Sequence, residues 1–223
     1  MKTNVFSKSG LVLSIEAAVR GGSIALLELD RKIAVWHGIE NVSRAEDLLL
    51  NISKIFDRTN IDKKRLDFIA VSNGPGSYTG IRIGLATALG LARALKIPCL
   101  GIPLLSAIAE PYGEGTNCLV AIPIRRNELC WQKFDKSGLA EMPRTGSAQN
   151  LIENFQDFRE YRLLMQHDAF ETVSNQPGFE ALRPQAINLG RDLALSLGIG
   201  ARNRTPDLTP NYVRNPQFSS SPI

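Results

Sequence analysis

The chain has 223 residues, of which 43% are hydrophobic and 22% charged, and this composition is typical of a globular protein with two small lobes. Its formal charge of +4 is mild and its basic residues are scattered, so no single basic groove indicates nucleic-acid binding. Cys99, Cys118 and Cys130 lie in apolar runs without C-x-x-C spacing, which indicates a reducing compartment and excludes a cysteine metal site. The first apolar run, residues 11–15, is interrupted by Glu16 and is too short for a signal peptide or a membrane span, so we expect a cytoplasmic protein with no membrane association.

The first half of the chain alternates between strand and helix patterns. Apolar runs bounded by turn residues predict five strands, at residues 11–15, 23–29, 33–36, 68–71 and 99–102. Helical periodicity and capping residues predict three helices: one from the Ser43 and Glu46 capping box to Arg58, one over 79–96 and one over 103–113. The order β-β-β-α-β-α-β-α predicts a mixed sheet with helices on its faces.

The second half carries weaker signals. We predict strands at 118–124 and 129–134 around a turn at 126–127, a helix at 148–158, a strand at 162–165 and a helix at 185–197. Glycine, proline and asparagine recur after residue 198, so we expect an extended tail over 206–214 and disorder over 218–223.

A glycine-rich turn, residues 73–77, joins the strand at 68–71 to the helix at 79–96. Such turns bind phosphates through backbone N–H groups at a helix N-terminus. The Walker A pattern is absent, because Gly80 is followed by Ile81 and Arg82 instead of Lys-Ser/Thr. The dinucleotide pattern is disfavoured as well, because its third glycine comes one residue late and no acidic residue ends the next strand.

The helix at 79–96 has few charged side chains and a row of small residues. Gly80, Gly84, Ala88 and Ala92 recur every four residues and therefore lie along one side. Glycine inside a helix costs about 1 kcal/mol relative to alanine, so close packing or a ligand must offset it. Two interpretations stay open: a core helix on its own sheet, or a helix whose small-residue face meets a second helix, including one from another subunit.

These residues resemble a known family. The segment from Gly74 to Ala92, GPGSYTGIRIGLATALGLA, is similar to the signature GPGSFTGxRIGxxxAxGLA of the TsaB (YeaZ) proteins. Supporting similarity lies at residues 11–26, 98–107 and 210–214, while 111–200 match poorly. The resemblance implies an α/β, actin-like ATPase (ribonuclease H-like) fold of two related lobes, each with a mixed sheet flanked by helices. We place the lobes at 1–108, with the glycine turn and interface helix, and at 109–223, with the extended tail.

The resemblance also implies a role. TsaB proteins are non-catalytic partners of the TsaD-type transferase that makes threonylcarbamoyladenosine (t6A) next to the tRNA anticodon, and a TsaE-type ATPase joins the pair. The implied contacts with tRNA are indirect, and the chain alone is expected to form a homodimer. The expected subunit interface consists of Thr79, Gly80, Ile81, Gly84, Leu85, Ala88 and Ala92.

Departures from the wider superfamily weaken any active site in this chain. Glu16-Ala17 stand where the family has Asp-Thr, and Pro123 stands at a second carboxylate position. His37 and His167 are isolated, so we expect no metal and no metallopeptidase activity. The expected remnant of a phosphate site consists of Glu16, Asn73, Gly74, Gly76 and Ser77.

The alternative hypothesis is a nucleotide-dependent enzyme of the actin-like superfamily that uses Glu16 for metal and residues 73–77 for phosphate. An intermediate case is weak ATP or ADP binding within a complex, with no cofactor required by this chain.

Overall fold

The computed structural model describes residues 10–29, 31–38, 44–113, 115–125, 127–154, 160–201 and 207–211, with the side chains of 44–47 left undescribed. Several predicted features lie outside these residues: the Ser43–Glu46 capping box, residue 126 of the predicted turn, the end of the helix predicted to reach 158, and the tail at 206 and beyond 211.

Ten strands and seven α-helices occur in the described residues. The strands are β1 Leu11–Glu16, β2 Ser23–Glu28, β3 Arg31–His37, β4 Phe68–Gly74, β5 Cys99–Pro103, β6 Asn117–Arg125, β7 Glu128–Phe134, β8 Arg144–Gly146, β9 Tyr161–Met165 and β10 Ala186–Asn188. The helices are α1 Arg44–Thr59, α2 Tyr78–Leu95, α3 Leu104–Gly113, α4 Ala148–Glu153, α5 His167–Ser174, α6 Phe179–Leu182 and α7 Leu193–Gly200.

The strands form two five-stranded sheets of the same design. The first has the order β3-β2-β1-β4-β5 and the second β10-β9-β6-β7-β8. In each sheet a hairpin and a third antiparallel strand precede two parallel strands, so the central strands β1 and β6 occupy equivalent places. This duplication confirms the predicted fold class of two mixed sheets flanked by helices.

Three layers of apolar side chains hold the sheets together. Helices α1 and α2 cover one face of the first sheet, while α4, α5 and α6 cover the outer face of the second. Helices α3 and α7 lie between the two sheets and share one continuous core with both. Because α7 and residues 207–211 pack on the first sheet, the chain's C-terminal part contributes to both halves; the boundary at 108 stays a prediction.

One predicted helix is wrong. Residues 185–197 were expected to be a single helix, but the structure has the short strand β10, a turn at Gly190 with φ 71° and then α7. Ile187 pairs with Leu164 in a parallel ladder, and the sheet edge therefore overrides the local helical periodicity. Strand β8 and helices α5 and α6 gave no usable sequence signal.

Candidate functional site

The glycine turn lies at the carboxyl end of β4, beside the carboxyl end of the parallel strand β1. Every residue of β4 is buried. The turn leads directly into α2, where the Ser77 side chain accepts a hydrogen bond from Gly80 N at 3.3 Å and so caps the helix. The helix predicted over 79–96 is thus confirmed, and α2 ends where Lys96 takes a left-handed conformation with φ 58°.

The turn is closed by the loop that follows β1. Ser77 N donates to Ala18 O at 2.7 Å. A Cβ placed on Gly76 would lie 2.5 Å from Ala18 O and 2.6 Å from Ala18 Cβ, so only glycine permits this approach. The loop after β1 and the glycine turn, between which a phosphate would bind, are therefore in direct contact with each other.

Glu16 ends β1 and is almost completely buried. Its Oε1 accepts a hydrogen bond from Val19 N at 2.8 Å, across the loop that Glu16 itself begins. The carboxylate thus braces the backbone of its own loop, an arrangement that serves structure and does not present a metal ligand to solvent.

A C-terminal strap, residues 207–211, crosses the same region; an extended tail was predicted over 206–214, but its contact with the glycine turn was not. Asn73 Nδ2 donates to Thr209 O at 3.0 Å, and Asn211 N donates to Asn73 O at 2.6 Å. A Cβ on Gly74 would collide with Asn211 O, and one on Gly101 of β5 would collide with Asp207 O. The only sequence signal for this contact was the presence of these two glycines, and the strap residues that they meet lie more than 100 residues later in the chain.

The structure brings the predicted phosphate-site residues to one edge of the first sheet, where two of their N–H groups are already hydrogen-bonded within the chain, and the phosphate site itself stays a prediction. The Ser77 N–H group is bonded to Ala18, and the Gly74 N–H group donates to Ser72 Oγ at 3.3 Å. Phosphate binding at a helix N-terminus needs such N–H groups to be available.

The two histidines have polar neighbours and do not meet. His37 Nδ1 lies 3.0 Å from Asp192 Oδ1, and His167 Nδ1 lies 3.2 Å from Asn188 Nδ2. Among the residues that the structure describes, no three His, Cys, Asp or Glu side chains are grouped as they would be around a metal ion.

Most of the residues expected to form the interface on α2 lie on its buried side, so the expected interface has to be corrected to another side of the helix. Of the seven residues, only Thr79 is exposed. The others, Gly80, Ile81, Gly84, Leu85, Ala88 and Ala92, are buried within the chain. A Cβ on Gly84 would lie 3.2 Å from Ala17 Cβ and 3.6 Å from Val71 Cγ2, so the small-residue row packs on the chain's own sheet. The involvement of α2 in subunit contacts stays a prediction, but this row is not available to a partner.

The opposite side of α2 is exposed and has few charges. We call Arg82, Ala86, Leu89, Gly90 and Ala94 the outer face of α2; all five are exposed. A Cβ on Gly90 would have no atom within 4 Å, so no packing within the described chain accounts for a glycine here.

Helix α1 packs beside α2 and carries two exposed leucines of its own. The exposed fractions are 54% for Leu49, 51% for Leu50 and 43% for Leu89, which is unusual for leucine on adjacent helices. Among the described helices, none is both long and apolar enough to cross a membrane.

Comparison with known proteins places these features in a family. The family model described as "TsaD: tRNA N6-adenosine threonylcarbamoyltransferase" matches residues 40–152. The TsaB protein of Buchnera aphidicola (subsp. Schizaphis graminum) is 30% identical over 131 residues, 56% of this chain and 61% of the relative. The TsaB protein of Escherichia coli is 27% identical over 133 residues, 57% of each chain. The chain thus spans about three fifths of the length of the curated relatives it matches.

Solved structures show the same fold. YeaZ from Pseudomonas aeruginosa superposes with a TM-score of 0.60 at 22% identity, over 84% of this chain and 90% of that one. An activator of 2-hydroxyisocaproyl-CoA dehydratase from Clostridium difficile reaches a TM-score of 0.57 at 8% identity, over 86% and 94%. At these identities the likeness concerns the fold alone.

Proposed function

Because this chain belongs to the TsaD family and to its TsaB (YeaZ) proteins, we propose that it is a non-catalytic partner of the TsaD-type transferase in t6A modification of tRNA. Its role in this proposal is to bind the transferase along the outer face of α2 and to hold it in its active arrangement. The observation that carries the proposal is Gly90, an exposed glycine on the outer face of α2 that no packing within the described chain explains.

Gly90 is the most informative residue of that surface. A glycine in a helix interior costs about 1 kcal/mol relative to alanine, and in α2 nothing in the described chain offsets that cost. With Ala86 and Ala94 one turn away on either side, it forms a flat strip on which another helix can lie closely. Exposed Leu49, Leu50 and Leu89 supply the apolar area that association requires.

A partner of the same fold suits this surface. The transferase family model covers residues 40–152, a range that includes both α1 and α2. A transferase of this family is therefore expected to carry an equivalent pair of helices, and two such pairs can pack face to face around a pseudo-twofold axis. The same geometry supports a homodimer when the transferase is absent.

Few observations support a catalytic activity of this chain itself. The loops after β1 and β4 bond to each other, and the Glu16 carboxylate braces its own loop. We therefore propose that the chain needs no nucleotide or metal of its own and is not a metallopeptidase. Weak ATP or ADP binding remains an expectation for the assembled complex, in which a TsaE-type ATPase also takes part.

We also propose that the chain acts in the cytoplasm. The substrate tRNA is a cytoplasmic molecule, and Cys99, Cys118 and Cys130 are all free thiols in the structure.

Co-purification with the transferase tests the proposal. Gly90→Arg places a long charged side chain on the outer face without a clash in the chain itself, so we expect at least a tenfold loss of affinity for the transferase. The melting temperature should not fall, because arginine has the better helix propensity. Ala181→Arg, a small exposed helical residue of the second lobe, is the matched control and should leave binding unchanged.

Two results would contradict the proposal. In the first, Gly90→Arg binds the transferase and supports tRNA modification as the wild type does. In the second, calorimetry with ATP and Mg²⁺ shows a tight site in the isolated chain that Glu16→Ala destroys, which would favour the enzyme hypothesis.

A further inference from the structure

Three chain segments that are distant in sequence meet at one edge of the first sheet. The parallel strands β1, β4 and β5 all begin there, the β2–β3 turn lies there, and α1 and α2 both end there. Arg65 Nη2 lies 3.5 Å from Glu28 Oε1, which joins the segment before β4 to the end of β2. Ile69 N donates to Pro98 O at 3.0 Å, and this hydrogen bond joins the start of β4 to the segment after α2.

This edge collects basic side chains that look scattered in the sequence. We call it the basic edge; its eight basic residues are Arg31, Lys32, Arg58, Lys63, Lys64, Arg65, Arg93 and Lys96. Among the described residues, the same segments contain four acidic ones, Glu28, Asp57, Asp62 and Asp67. The eight basic and four acidic residues leave the described part of the basic edge with an excess of four positive charges.

Several of the acidic groups are already committed to local structure. Glu28 contacts both Arg31, at 3.0 Å, and Arg65, at 3.5 Å. The Asp62 side chain accepts from Lys64 N at 2.9 Å, and Asp67 accepts from Leu11 N at 2.7 Å. These carboxylates fix the segments that bear the basic residues.

The basic side chains themselves are mostly directed to solvent. The side chains of Arg31 and Arg65 are 76% and 55% exposed, and Lys32, Lys64 and Arg93 are exposed as well. Five strands at a spacing of about 4.8 Å make this edge about 19 Å long, which is enough to follow several phosphates of a nucleic-acid strand.

We propose that the basic edge contacts the phosphate backbone of the RNA substrate directly. The choice of RNA rests on the proposed function, in which the modified molecule is a tRNA. Arg93 lies within the last turn of α2, next to Ala94 of the outer face, so a transferase docked on that face would continue the same surface. This differs from the expectation that the chain contacts tRNA only indirectly. Contacts of this kind position an RNA without reading its sequence.

Binding of a tRNA transcript, measured by fluorescence anisotropy at two salt concentrations, tests the proposal. The triple variant Lys32→Gln, Arg58→Gln, Lys64→Gln removes three exposed positive charges and leaves α2 unchanged. Each phosphate contact contributes about 0.7 to 0.9 to the slope of log K against log salt concentration. At 0.1 M salt, one decade below 1 M, the loss of one contact therefore weakens binding about five- to eightfold. We expect at least a tenfold loss for the triple variant and a shallower salt dependence.

The control variant makes the same charge change elsewhere. Lys136→Gln, Arg144→Gln, Arg162→Gln removes three exposed basic residues of the second lobe and should change tRNA affinity less than twofold. Equal losses in the two variants would overturn the proposal. So would a loss of binding to phosphatidylglycerol vesicles with tRNA binding unchanged, since a membrane surface would then be the anionic partner.

Measurements on the chain alone and on its complex with the transferase separate this proposal from the proposed function. Retained co-elution of the triple variant with the transferase, together with weaker tRNA binding, supports the basic edge. If the wild-type chain binds no transferase but binds tRNA through these residues, the proposed partnership fails while the basic edge stands.

Discussion

Replacement of Asn73 should release the C-terminal strap from the glycine turn. The Asn73 side chain is 3% exposed, and its Nδ2 donates to Thr209 O at 3.0 Å. Its Oδ1 is buried and has no hydrogen-bond partner among the described residues. Asn73→Ala removes one good bond and one unsatisfied oxygen, so we expect a loss of only about 1 kcal/mol in the free energy of unfolding.

Asn73→Asp should be much worse at neutral pH. It replaces the donor with a buried carboxylate that faces the Thr209 carbonyl, and such a group without donors costs about 3 kcal/mol or more. For a chain of this size each 1 kcal/mol corresponds to about 2–4 °C in melting temperature. We therefore expect a decrease of about 6–12 °C at pH 7.5.

The penalty of Asn73→Asp should depend on pH in a defined direction. Burial raises the pKa of the introduced carboxyl group above its unfolded value of about 3.9, so the folded state binds more protons than the unfolded state. The variant should therefore lose stability as pH rises from about 4 through the folded pKa. Below that range the protonated carboxyl can donate to Thr209 O and restore the lost bond.

Urea unfolding at pH 5 and pH 7.5, with hydrogen exchange of residues 207–211, measures both effects. The control is Thr209→Ser, since the strap bond uses the Thr209 backbone carbonyl and serine keeps the hydroxyl that bonds Asp207. The reasoning is refuted if Asn73→Asp is no less stable relative to wild type at pH 7.5 than at pH 5. It is also refuted if residues 207–211 keep their wild-type protection from exchange.

Three further predictions follow from the packing. Gly84→Arg should unfold the chain, at a cost of more than about 4 kcal/mol, because even a Cβ at this position would lie 3.2 Å from Ala17 Cβ and the rest of the arginine has no space; circular dichroism would detect this, and a folded variant would contradict it. Gly101→Val should displace Asp207 and expose residues 207–211 to hydrogen exchange while leaving α4 and α5 protected. Burial raises the pKa of Cys118 to about 11 and that of Cys130 to about 12, so at pH 8 alkylation should be at least about 100-fold slower in the native chain than in urea, as mass spectrometry can measure.

The local signals in the first half were strong enough to predict its architecture. Continuous apolar runs at β1, β4 and β5 fit strands buried on both faces, and the glycine turn located the start of α2. The family resemblance rested on the same turn and helix. In the second half, β10 was mistaken for helix because a three-residue edge strand is defined by its neighbour β9 and not by its own pattern.

The sequence did not predict which side of α2 packs on the sheet. Small residues occur on two sides of this helix, at Gly80, Gly84 and Ala88 and again at Ala86 and Gly90. Periodicity groups residues into sides of a helix but does not say which side meets the sheet. That choice is made by the position of β4, whose Val71 lies against Gly84.

By itself, then, the sequence determined the elements of the first half, the turn and the family resemblance of this protein, because these depend on neighbours a few residues apart. Only the tertiary structure decided that the buried row of α2 belongs to the chain's own core and that residues 207–211 close the turn. It also decided that basic residues from three segments share one edge. Each of these contacts joins residues far apart in the chain, and the free energy that selects them comes from packing and charge in three dimensions.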